Sequence, residues 1–88
     1  MEITEVKIYK TSEENPVVKA YATITIDSCF LVKNLRVIQG KERLFVAMPS
    51  RRKPNGDHED EAHPLNQETR DMIESKVLDE YKKALEEE

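Results

Sequence analysis

Hydrophobic and polar residues alternate strictly between Val18 and Ile26. The apolar members of this alternation are Val18, Ala20, Ala22, Ile24 and Ile26, and the members between them are Lys19, Tyr21, Thr23 and Thr25. A period of two residues places successive side chains on opposite faces of an extended chain. The pattern therefore predicts a β-strand with one face buried and the other in water.

Three further segments in the first half of the chain also favour strands. They are residues 3–9, 30–38 and 44–48, with turn-forming residues at 12–16 and 39–42. The apolar phase of the third strand shifts between Val32 and Leu35, so we expect a bulge or a twist near Asn34. The fourth strand should stop at Pro49, because proline has no N–H to donate to a ladder.

The second half of the chain predicts a charged surface segment followed by one helix. Residues 50–64 are polar and contain the turn sequence Pro-Asn-Gly-Asp, so we expect an irregular loop there. Asn66 is a good N-cap, and the helix predicted over residues 66–85 is amphipathic. Its apolar stripe is Ile73, Val77, Leu78, Tyr81 and Leu85.

These elements predict one α+β domain over residues 1–88, with about four antiparallel strands and one helix packed on the sheet. A chain of 88 residues builds only a modest core. An open sheet also leaves unpaired edge strands, which proteins blunt or use for pairing. We therefore expect a homodimer formed through sheet edges.

The composition restricts the class of protein further. Hydrophobic residues make up 38% and charged residues 36%, and the sequence has no apolar run long enough to cross a bilayer. No membrane partner is expected. A single cysteine, Cys29, cannot form an internal disulfide, and we expect it to be a small packing residue in a cytoplasmic protein.

Charge is sorted along the chain. Residues 1–27 carry three basic and five acidic side chains, residues 28–53 carry seven and one, and residues 54–88 carry four and twelve. The corresponding net charges of −2, +6 and −8 sum to −4. A basic middle segment in an acidic protein indicates a localised anion-binding face, although the same cations could simply solvate the strands.

The densest basic cluster is Arg51, Arg52 and Lys53. The planar guanidinium of arginine matches phosphate and the guanine edge in two-point hydrogen bonding, so the cluster suits nucleic acid. Lys41 and Arg43 lie just upstream, and Gln67 and Arg70 could read polar groups from the start of the helix. Alternatively, the cluster pairs with the acidic stretch at residues 57–61, in the same chain or in a second copy.

Enzymatic chemistry finds little support in the sequence. His58 and His63 are five residues apart, whereas the zinc protease motif needs two histidines four apart on a helix. Phosphate-binding and dinucleotide-binding glycine motifs and the serine-nucleophile motif are absent from the sequence. We expect a protein that is not an enzyme, with no metal, no cofactor and no small-molecule substrate.

Several stretches together resemble one known family. They are "NLRVIQG" at 34–40, "LFVAMPSRR" at 44–52 and "NGDHEDEAHPLN" at 55–66, followed by Arg70, Val77 and Tyr81. The chain is similar over nearly its whole length to the stage V sporulation protein G (SpoVG) family. The resemblance implies a small dimeric bacterial regulator of gene expression that binds DNA and also RNA, linked to sporulation and asymmetric septation.

The resemblance also implies where nucleic acid would bind. The basic residues after "AMPS" fall on Arg51 and Arg52, and the C-terminal helix is implied to influence the sequence that is read. A competing hypothesis is a protein-interaction module of the division or septation machinery, in which the basic cluster docks on an acidic protein and nucleic acid is not bound.

Overall fold

Four antiparallel strands follow one another in space as they do along the chain. The computed structural model describes residues 1–10 and 17–86, so the turn predicted at 12–16 lies outside the described residues. The strands are β1 (Ile3–Lys10), β2 (Val18–Ile26), β3 (Phe30–Gln39) and β4 (Leu44–Ala47), and each pairs with the next. The predicted α+β class, with four strands before one helix, is confirmed.

The β2–β3 ladder contains the predicted bulge. Ile24 pairs with Val32, and Ala22 pairs with Leu35. Thr23 on β2 is therefore opposed by two residues of β3, Lys33 and Asn34. Asn34 has a φ of 68°. Asparagine tolerates this left-handed conformation better than most residues, which explains why it occupies the bulge.

The turn between β2 and β3 is tight. The Cys29 amide donates to the Ile26 carbonyl at 3.0 Å, and the two residues between them, Asp27 and Ser28, have φ values of 50° and 58°. Positive φ at both central positions matches the right-handed twist of the flanking strands. Cys29 is exposed here, so the expectation that it is a small packing residue is wrong.

Residues 50–60 differ from the irregular loop that the sequence predicts. They form a second, two-stranded antiparallel sheet of β5 (Ser50–Arg52) and β6 (His58–Asp60). The Glu61 amide donates to the Pro49 carbonyl at 2.7 Å and extends the pairing by one step. The sequence has no apolar alternation here, and the backbone hydrogen bonds of the turn at residues 53–57 bring the two polar strands together.

The helix α1 (Gln67–Glu86) begins as the sequence predicts. The Asn66 side-chain oxygen accepts a 2.8 Å hydrogen bond from the Thr69 amide, so Asn66 is the N-cap. Ile73, Val77 and Tyr81 are buried against the sheet, whereas Leu85 at the last turn is 44% exposed. The predicted apolar stripe is therefore confirmed over three of its turns and ends before Leu85.

One apolar core lies between α1 and the four-stranded sheet. Its largest fully buried side chains are Ile24, Leu35, Val37 and Val77. Ala20 and Ala22 of β2 are also buried on this face. No helix formed by the described residues is long and apolar enough to span a membrane.

Candidate nucleic-acid interface

The β5–β6 hairpin is closed by a turn that depends on glycine. The Gly56 amide donates to the Lys53 carbonyl at 2.9 Å, and the Lys53 amide donates to the Asp57 carbonyl at 2.6 Å. Asn55 accepts a further 3.0 Å bond from the Asp57 amide through its side-chain oxygen. Gly56 has a φ of +92°, which side-chain-bearing residues rarely adopt. This turn holds the basic strand β5 beside the acidic strand β6.

Two of the three clustered cations share one carboxylate. Arg51 lies opposite Glu59 in the ladder, and its Nη2 is 3.6 Å from Glu59 Oε2. The Lys53 Nζ is 3.9 Å from the same oxygen. The Arg51 side chain is 68% exposed and that of Glu59 is 50% exposed, so water screens the pair. Exposed pairs of this kind contribute about 0–1 kcal/mol, and a phosphate can compete with the carboxylate.

Arg52 is placed differently. It is exposed and lies opposite His58 on the other face of the hairpin from Arg51. Within residues 1–10 and 17–86, its side chain makes no hydrogen bond or ion pair. Its guanidinium therefore has all its donors in water and can meet an incoming anion without first leaving a carboxylate.

A hydrogen bond joins this hairpin to the main sheet. The Arg36 Nη2 on β3 donates to the Ser50 hydroxyl at 3.3 Å, and the contact is partly buried. Ser50 is the first residue of β5. Met48 and Pro49, between β4 and β5, are both buried. The start of the hairpin is thus anchored on the sheet, while its turn projects into water.

Lys41 and Arg43 lie far from this hairpin. They belong to the loop between β3 and β4. The length of β4, about 13 Å, separates this loop from Ser50. Arg43 forms an ion pair with Glu74 on α1, whose side chain is only 16% exposed. Arg43 therefore fastens the β3–β4 loop to the helix. The structure does not bring these two predicted site residues together with Arg51–Lys53.

Gln67 and Arg70 lie on the first turn of α1. The Gln67 Nε2 donates to the Asp71 carboxylate at 2.8 Å, and Arg70 is half-buried. Among the described residues, no hydrogen bond or ion pair links either side chain to the hairpin. Gln67 is thus partly engaged within the helix, which reduces its freedom to contact a ligand.

The two histidines are both exposed. The His63 Nδ1 lies 3.0 Å from the Pro64 carbonyl oxygen. His58 lies on β6. In the part of the chain that the structure describes, no group of three or more histidine, cysteine or acidic side chains is arranged to hold a metal ion.

Comparison with known proteins gives the family. The SpoVG family profile matches residues 1–83. The chain belongs to the SpoVG family. It is 52% identical over 85 residues to "Putative septation protein SpoVG" of Bdellovibrio bacteriovorus, an alignment that covers 97% of this chain and 77% of the relative.

Other SpoVG relatives match to a similar extent. The SpoVG of an Anaeromyxobacter species is 51% identical over 85 residues, with 97% of this chain and 86% of the relative covered. That of Caldicellulosiruptor bescii is 46% identical over 81 residues, with 92% and 91% covered. The family resemblance drawn from the sequence is therefore confirmed, and it extends through the hairpin and most of α1.

The sequence left two hypotheses open for the basic cluster, and the pairing with residues 57–61 of the same chain is present, because Arg51 and Lys53 share Glu59. The contact of Arg36 with Ser50 was not predicted. Both contacts depend on how strands align across space. The opposite charges of residues 51–53 and 57–61 were the signal for the first contact.

Proposed function

We propose that this chain is a nucleic-acid-binding regulator that contacts DNA, and also RNA, through the β5–β6 hairpin. The observation that supports it best is the free guanidinium of Arg52 beside two weakly paired cations, Arg51 and Lys53. Three adjacent cations on a projecting hairpin can follow a phosphate backbone. The biological role that we propose is control of gene expression in sporulation and septation, in keeping with the names of its relatives.

The carboxylates around the hairpin shape this binding. Residues 50–60 contain three cations and three carboxylates, the latter being Asp57, Glu59 and Asp60. A phosphate should therefore bind next to the three cations, and acidic residues elsewhere on the protein repel nonspecific contacts. We expect moderate affinity with a steep salt dependence, and not a uniform coating of nucleic acid.

The test is a salt titration of binding, read by fluorescence anisotropy of a labelled duplex. The proteins are wild type, Arg52→Ala, the Arg51→Ala/Arg52→Ala double variant and the matched control Lys41→Ala, which removes a cation beyond the far end of β4. Removal of one phosphate-binding cation should reduce the log–log salt slope by about 0.9. We expect the double variant to lose most of its affinity while Lys41→Ala changes it little.

Equal binding by wild type and the double variant would overturn the hairpin as the site. Loss of binding in Lys41→Ala alone would move the site to the β3–β4 loop. No binding by wild type to duplex or to RNA would remove the nucleic-acid function altogether.

A protein-docking function is the second candidate, and one apolar pocket favours it. The pocket has a volume of about 140 Å³ and lies between the sheet and the start of α1, with Met48, Pro49 and Ile73 in its lining. Leu65, in the segment that leads into α1, is 91% exposed. A septation or division protein could bury Leu65 together with this pocket. Leu65→Ser should then abolish the protein contact and leave nucleic-acid binding unchanged.

We also propose that two copies associate through a sheet edge. β1 and β4 are the outermost strands of the four-stranded sheet. β1 has eight residues and β4 only four, so β1 offers the longer row of unpaired backbone groups. Light scattering should give twice the monomer mass, and a monomer mass would overturn this proposal.

A further inference from the structure

The face of the four-stranded sheet that α1 leaves uncovered carries two exposed tyrosines. The helix covers the face that includes Ala20 and Ala22, and alternation places Tyr21 between them on the opposite face. Tyr9 on β1 is the cross-strand partner of Tyr21 and so shares that face. Tyr9 is 55% exposed and Tyr21 is 42% exposed. Their rings are neighbours in water, outside the core.

The same row continues onto β3 with a cation. Tyr21 pairs with Arg36, and Arg36 pairs with Ala47 on β4. Neighbouring strands are about 4.8 Å apart, so Tyr9, Tyr21 and Arg36 follow one another across three strands. Two phenol rings and one guanidinium thus form a line of flat, polarisable groups on one surface.

Other residues of this face favour an anionic ligand. Lys7 pairs with Thr23 one row away on the same face, and the exposed Lys33 is one of the two bulge residues that oppose Thr23. Among the described strand residues, Glu5 is the one carboxylate on the face, and its Oε1 lies 3.5 Å from Lys7 Nζ. The same face also carries Leu31, which pairs with Thr25 and is 54% exposed, and Ile38, which pairs with Phe45. The charge on this face is thus mainly positive.

This surface is continuous with the basic hairpin. The Arg36 guanidinium donates to the hydroxyl of Ser50, the residue that opens β5. Ser50 and Arg52 are two residues apart on one strand and therefore share a face. A chain of nucleotides that contacts Arg52 can thus pass Arg36 and reach Tyr21 and Tyr9 without crossing the acidic helix.

We propose that the row of Tyr9, Tyr21 and Arg36 binds single-stranded nucleic acid by base stacking. Exposed rings next to cations suit unpaired bases, because a ring stacks on the π-face of a base while a cation neutralises its phosphate. A duplex keeps its base faces stacked inside and cannot use the rings. This inference rests on the proposed nucleic-acid function and names the ligand class: an unpaired strand, with the tyrosines adding to the hairpin cations.

The test compares a labelled single strand with a duplex. The probes are an oligothymidylate of about 12 nucleotides and a duplex of mixed sequence. The proteins are wild type, Tyr9→Thr/Tyr21→Thr and Tyr9→Phe/Tyr21→Phe. The control is Phe30→Thr, which removes an aromatic side chain that is 63% exposed and lies opposite Ile26, on the other face of the sheet. Threonine keeps the strand preference but has no ring.

We expect the threonine double variant to lose about fivefold or more in affinity for the single strand per tyrosine, and to bind duplex as wild type does. The phenylalanine variant and Phe30→Thr should both bind the single strand normally. A second readout needs no variant. The chain has three tyrosines and no tryptophan, so stacking should quench its intrinsic fluorescence on addition of oligothymidylate but not of duplex.

The outcomes separate this inference from the proposed function. Wild-type binding to duplex and single strand, with normal single-strand binding by the threonine variant and no quenching, would overturn the stacking row alone. Failure of wild type to bind either probe would overturn both proposals. A change of oligomeric mass in the threonine variant, with single-strand affinity unchanged, would assign the face to a second copy and would also overturn the row.

Discussion

Glu59 Oε2 lies 3.6 Å from Arg51 Nη2, across the two strands of the small hairpin. The same carboxylate is 3.9 Å from the Lys53 Nζ. A single carboxylate thus lies within 4 Å of two cations. Under the proposed function, this carboxylate competes with the phosphate for Arg51 and Lys53.

Glu59→Gln should therefore strengthen nucleic-acid binding. Removing the carboxylate frees Arg51 and Lys53, and we expect affinity for duplex to rise about three- to tenfold, the equivalent of ~1 kcal/mol from a charged surface contact. The salt slope should steepen, which anisotropy titrations would measure. The matched control is Glu68→Gln on the first turn of α1, which changes the net charge equally. An equal gain in both variants would mean that net charge alone is responsible.

Asn66→Ala should destabilise the fold through the start of α1. The Asn66 side chain accepts the 2.8 Å bond from the Thr69 amide, and its loss leaves that N–H without its cap. We expect the free energy of unfolding, measured by urea denaturation, to fall by about 1 kcal/mol. Asn66→Asp keeps the acceptor and should stay close to wild type. If both variants lost the same amount, the capping bond would not be the cause.

The ion pair of Arg43 and Glu74 should contribute to the stability of the fold and not to nucleic-acid binding. Their ion pair joins the β3–β4 loop to α1, and the Glu74 side chain is largely shielded from water. A double-mutant cycle with Arg43→Ala and Glu74→Ala should give a coupling of about 0.5–1 kcal/mol in the free energy of unfolding. Affinity for duplex should hardly change in Arg43→Ala. A large loss of affinity there would return Arg43 to the binding site.

Gly56→Ala should destabilise the β5–β6 hairpin while leaving its three cations unchanged. The φ of +92° strains a residue with a Cβ, although space around the site is open. We expect a cost of about 1 kcal/mol, expressed as faster hydrogen exchange of the Lys53 and Gly56 amides. Gly56→Asn should cost less, because asparagine tolerates positive φ better than alanine does. Unchanged exchange in the alanine variant would show that the turn conformation does not limit hairpin stability.

Much of the fold could be predicted because its signals are local. The alternation in β2, the phase shift at Asn34 and the cap at Asn66 each depend on a few neighbouring residues. The β5–β6 hairpin gave no such signal. Its facing pairs are Ser50 with Asp60, Arg51 with Glu59 and Arg52 with His58, and all six residues are polar. Charge pairing across strands leaves no hydrophobic period to detect.

The candidate site could be predicted only in part for a related reason. The basic cluster is visible in the sequence, but the contact of Arg36 with Ser50 joins residues 14 positions apart and depends on how β4 ends. Tyr9 and Tyr21 become neighbours only through the pairing of β1 with β2. Contacts between strands cannot be identified from the sequence until the strand register is known.

The bulge at Asn34 makes β3 tolerant of a change in length. Lys33 and Asn34 together oppose Thr23, so deletion of Asn34 would leave Lys33 in that place and keep Val32 and Leu35 on the core side. A deletion elsewhere in β3 would turn every later side chain to the wrong face. Loss of one residue here should therefore leave Arg36 and the row that it completes in position.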